Sequence, residues 1–261
     1  QSGFSHIAII IVIVVLGGVG FAGWYVVMSK QDDTSANNQS QQSSNNDKKQ
    51  ATASADEKDI ELQNLGIASI TDGIAIDQNA VREFSSKGLK GYYNFGDPLS
   101  GGRINPNFEF ASVKPGTSVI AAIDGVIGFI REQPETKDYE VFLQPKEGSA
   151  WTIGYDHITN VSVKKGDSVK VGDKLGEAAK QNNGLLRFEF QVNKDKDRKT
   201  THLCPTNLLS PSVKDKVIGE LTTMQNAWEQ KTGLELYDIT KQNPAGCLQQ
   251  TLTPEQAEGK N

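Results

Sequence analysis

Two glycine-aspartate pairs set six residues apart, Gly166-Asp167 and Gly172-Asp173, constrain what this chain can fold into more than any other feature. Glycine enters the left-handed backbone region without a Cβ penalty, and aspartate can close a turn through its own carboxylate. Valines flank the pairs at Val163, Val169 and Val171, and β-branched residues suit a half-buried strand. The run from Val163 to Gly176 is therefore expected to form a compact β-hairpin unit, entered from Tyr155-Asp156-His157-Ile158. Strand-like apolar blocks stand on either side, Gly116 to Ile127 upstream and Gly184 to Phe190 downstream.

In this order the three blocks resemble the core of the lysostaphin or LytM-type zinc endopeptidases, which cut peptide cross-links in bacterial cell walls. The resemblance covers residues 98–205. It implies a mainly β fold, an antiparallel sheet of the duplicated-hybrid-motif kind. The family site uses a His-x-x-x-Asp motif before the Gly-Thr-x-Val block, a histidine in the Tyr-x-His block, and a His-x-His pair before Phe-Glu. Zinc is held by the first histidine, the aspartate and the second histidine of the pair. In this chain the corresponding positions are Asn105 and Glu109, then Tyr155 and His157, then Leu185 and Arg187.

A count reaches the same place. The family site needs four histidines and this chain has three, His6, His157 and His202, of which His6 borders an apolar N-terminal run. An arginine cannot replace a metal ligand, because its guanidinium is permanently cationic and offers donors only. The expectation is thus the family fold with its metal centre lost: no zinc, no other cofactor, no catalytic residue, His157 as a relic and Leu185 as a degenerate position. A binding groove would be lined by Asn105, Glu109, Tyr155, His157 and Arg187. In the vacated metal position Arg187 would pair with Glu109, one fixed cation in place of another. His157 has two readings, a hydrogen bond within the sheet or to Asp156, and a direct part in ligand binding.

Around this core the chain divides by composition. Phe4 to Val27 carries no charge, and its 24 residues at ~1.5 Å each exceed a hydrocarbon core of ~30 Å, so residues 1–30 read as a single-pass membrane anchor. Residues 31–58 are rich in Ser, Asn and Gln and cannot bury enough apolar surface to order themselves. They read as a tether with a reach of roughly 25–30 Å. Residues 59–97 form a subregion packing on the core, with short strands expected around Asp72-Gly73 and a short helix from Asp77 through Val81 and Phe84 to Gly88.

Residues 206–252 read as a helical extension. Ser210-Pro211 supplies a capping hydroxyl and a first-turn proline, and Val213, Val217, Leu221, Met224 and Trp228 recur at helical spacing up to Gly233. Cys204 and Cys247 are the only cysteines. In an exported domain they read as a disulfide stabilising by roughly 3–4 kcal/mol, and a zinc site shared with His202 is the rival. Residues 253–261 are expected to lack order.

A net charge of −5 without a basic stripe excludes a general nucleic-acid binder. Three functional classes follow. One is a non-catalytic module at the cell membrane, its folded domain extracytoplasmic, contacting peptidoglycan or a cell-wall hydrolase. Another is an active zinc endopeptidase using displaced ligands such as His157, His202, Glu109 and Asp156. The third is a structural pilus-associated surface protein, suggested by Gly3-Phe4-Ser5 ahead of the apolar run. Glu177-Ala178-Ala179-Lys180 after a hairpin also resembles biotinyl and lipoyl carrier domains, in which Lys180 would carry the cofactor.

Overall fold

The computed structural model describes residues 57–76, 80–81, 90–181 and 184–260. Eleven strands among them form one antiparallel sheet: β1 (Tyr92–Tyr93), β2 (Phe108–Val113), β3 (Ser118–Ile120), β4 (Gly125–Gln133), β5 (Asp138–Gln144), β6 (Trp151–Thr159), β7 (Ser168–Val169), β8 (Lys174–Lys180), β9 (Leu186–Lys196), β10 (Lys199–Leu203) and β11 (Thr251–Leu252). The helices are α1 (Ile70–Gly73), α2 (Pro211–Thr232) and α3 (Pro254–Ala257). β9 organises the sheet, pairing with β2, β6, β8 and β10.

Strand alternation separates two faces. Along β9, Phe188, Phe190 and Val192 are fully buried in the apolar core, while Arg187, Glu189, Gln191 and Asn193 turn to the other face. The core is aromatic where β2, β6 and β9 meet. Phe110 stacks on Phe188 at 6.1 Å, and Tyr155 meets Phe190 edge-on at 5.4 Å.

Both glycine-aspartate pairs make the turns expected of them. Gly166 and Gly172 have φ of 89° and 87°, and the side chains of Asp167 and Asp173 accept hydrogen bonds from the backbone N–H of Lys164 and Lys170. The hairpin itself does not form. β7 pairs with β4 and β8 pairs with β3, β6 and β9, so the two turns hand their strands to different partners. Local sequence sets a turn, but the strand's partner is whichever edge buries its apolar side.

The region before β1 departs from expectation as well. Instead of strands around Asp72-Gly73, the Ser69 hydroxyl accepts from the Asp72 N–H and caps α1, and only Ile74 bridges to the sheet, opposite Val113. The helix expected from Asp77 to Gly88 lies outside the described residues apart from Ala80 and Val81, as do the membrane span at Phe4 to Val27 and all but the last two residues of the tether. No helix among the described residues is long and apolar enough to cross a membrane.

α2 buries Val217, Leu221, Met224 and Trp228 of the stripe read from the sequence, with Val213 only partly buried, and ends at Gly233, whose φ of 68° allows its N–H to reach the Glu229 carbonyl. Trp228 lies flush on Gly91, where an added Cβ would meet the indole at 1.9 Å. Ser210 stands at the N-cap but makes no capping bond; its hydroxyl donates to Gln63 Oε1, which ties the helix start to the segment before β1.

Cys204 and Cys247 form the disulfide, with Cα atoms 5.8 Å apart. Beyond it the chain returns to the sheet and forms a short helix. β11 pairs with β10, and Thr253 and Gln256 close a reciprocal capping box on α3.

Candidate functional site

The polar face of the sheet carries a row of charge built by register. Tyr93 on β1 stands opposite Glu109 on β2, Glu109 opposite Glu189 on β9, and Glu189 opposite Asp156 on β6. On the far side Arg131 of β4 stands opposite Glu140 of β5. Like charges directly across a strand pair are destabilising, so such a row persists only if cations are threaded through it.

Arg187 is one. Two residues before Glu189 on the same strand, it shares that face, with its Nε 3.1 Å from Glu109 Oε1 and an Nη2 hydrogen bond to Glu189 Oε1. It bridges two acids that register places side by side. Arg131 pairs with Glu140 across β4 and β5.

His157 is the third cation. Consecutive strand residues point to opposite faces, yet Asp156 and His157 both reach the charged face, because His157 adopts φ of 58° beside an irregularity in β5–β6 pairing. Its N–H donates to Asp156 Oδ1 at 2.6 Å. The ring Nδ1 donates to Asp138 Oδ2 at 2.7 Å, and Nε2 lies 3.6 Å from Glu189 Oε1 and 3.9 Å from Asp156 Oδ2.

Burial works against a charged imidazole, but Asp156, Asp138 and Glu189 outweigh it and push the His157 pKa up to about 10. Glu189 is the counterpart. Burial opposes its charge, yet Arg187 and His157 hold it down at about 2. Burial drives the others upward. Glu109 is raised, with Glu189 adding to the effect against Arg187, and Asp156 is raised despite His157. Glu140 reaches about 8 through burial and the nearby Asp156 charge.

Several expected groove residues lie elsewhere. Tyr155 is fully buried on the core face, its hydroxyl accepting from the Ala122 N–H at 2.8 Å. Asn105 is buried and its amide serves the backbone, donating to the carbonyls of Asn94 and Asn107 and accepting from the Asn107 N–H. Leu185 packs partly buried against the core. His202 is on β10, hydrogen-bonded to Asn193 at 2.7 Å, with its pKa pushed down to about 4 by burial; it does not join Asp156 and His157. Lys180 ends β8 opposite Leu186, inside the sheet pairing and not on a projecting hairpin turn. Glu109, His157 and Arg187 do come together.

The structure adds Glu189, Asp138, Glu140, Arg131 and Asn107, whose amide donates to Glu189 Oε2. For Glu189 a signal existed in the sequence: at i+2 from Arg187 in a strand it must share its face. The others required the register.

Asp156, His157 and Glu189 also form a group whose potential ligand atoms lie within 4.8 Å of one another, close enough to hold a metal ion. Residues 108–199 match the model of Peptidase family M23. The match takes in β2 to the start of β10 and leaves out α2, the disulfide loop and everything before β2. Among curated proteins no sequence matches the chain.

Solved structures similar to it include lysostaphin from Staphylococcus simulans, at 21% identity over 40% of this chain and 44% of lysostaphin, with a TM-score of 0.35. A zinc-containing peptidase from Vibrio cholerae aligns at 24% identity over 40% of this chain and 32% of that one, TM-score 0.32. Csd3 from Helicobacter pylori aligns at 14% identity over 70% and 45%, TM-score 0.39. The M23-like chain thus spans less than half the length of each.

The resemblance implies zinc; Asp156, His157 and Glu189 lie near enough together to hold an ion, and their present partners are what a metal would have to displace. A metal-bound histidine must offer a lone pair. His157 has both ring nitrogens turned to carboxylates, Nδ1 to Asp138 and Nε2 towards Glu189 and Asp156. Glu189 and Glu109, the acids nearest the family's ligand positions, already neutralise a guanidinium.

Proposed function

We propose that this is a membrane-anchored, extracytoplasmic cell-envelope protein whose M23-type domain binds peptidoglycan or a cell-wall enzyme without hydrolysing it. The observation that carries the reading is Arg187 seated between Glu109 and Glu189, where the family resemblance calls for a zinc ligand. A permanent cation supplies the charge that a metal would supply and offers no open coordination position to polarise a peptide carbonyl. The disulfide is consistent with an oxidising compartment, and the apolar run at Phe4 to Val27 supports an anchor.

The test uses protein purified without added chelator. Elemental analysis is expected to find well under one zinc per chain, purified peptidoglycan to retain the protein in sedimentation, and turbidity of a sacculus suspension to remain constant. Stoichiometric zinc together with clearing would replace this reading by its rival, an endopeptidase using Asp156, His157 and Glu189. Only their proximity favours that rival.

A further inference from the structure

We draw no further inference here: the strongest candidate, the apolar ledge on the sheet where the exposed Phe129 ring of β4 stacks on Phe142 of β5 with ring centroids 6.0 Å apart, is an unpartnered patch, and nothing in the structure shows what covers it.

Discussion

Arg187 shows how much one side chain carries in a buried charge network. Removing one partner of a buried pair costs about 3–5 kcal/mol, because the remaining charges lose compensation, whereas replacing the pair by apolar groups is nearly neutral. Arg187→Met should therefore lower the urea-unfolding free energy by roughly that amount, and Glu109→Gln added to it should restore part of the loss. A single variant as stable as the parent would mean the guanidinium is not what holds the row together.

His157 gives the network a pH signature. Its folded pKa lies near 10 and its ordinary value is 6.5, so its stabilisation is complete below about pH 6.5 and is lost as pH rises through 10. Glu189, near 2 against an ordinary 4.5, stabilises above 4.5 and ceases to as pH falls through 2. Glu140, raised to about 8, adds to the decline with rising pH only up to that point. Between pH 8 and 10 the His157 contribution remains, worth on the order of 1 kcal/mol per pH unit. His157→Asn, which retains a residue tolerant of positive φ, should flatten the stability curve in that window. A slope identical to the parent would place the titrating group elsewhere. The Arg187 and Glu109 pairing was legible in the sequence because both fall on family motif positions. Asp138 was not, since nothing marks a residue nineteen positions from His157 as its partner until β5 and β6 pair.

Among the elements, α2 was the most readable, four of the five residues of its apolar stripe being buried in the fold. What it packs on was invisible. Gly91 lies far upstream and owes its lack of a side chain to the indole above it. Trp228→Ala should cost about 3–5 kcal/mol, read from the denaturation midpoint, by leaving a cavity of indole size over Gly91. Should the loss be under about 1 kcal/mol, the helix is not docked as described. The Gly-Asp turns carry the opposite lesson. Their backbone geometry is local and was predictable, whereas the separate partners of β7 and β8 depend on strands as far away as Gly125 and Ser118.

Across the whole molecule, Cys204 and Cys247 tie the end of β10 to the loop that meets Phe95, and Phe95 begins the segment leading to Asn105 and Asn107. The disulfide closes a span of 43 residues, and in the chain-entropy view its loss should destabilise by roughly 3–4 kcal/mol. Replacing both cysteines by serine should lower the melting temperature by several degrees. An unshifted transition would show that the extension folds around the sheet without its covalent tie.

By itself the sequence determined the number of imidazoles, the helix face and the presence of a single pair of cysteines, because helical periodicity and residue chemistry are properties of neighbours or of counts, while the class of fold came through the family resemblance. Only the tertiary structure decided that Glu109, Glu189 and Asp156 stand shoulder to shoulder, that His157 turns to join them, and that Tyr155 and Asn105 do not. Register sets those distances, and register follows from which apolar faces bury one another across the whole sheet.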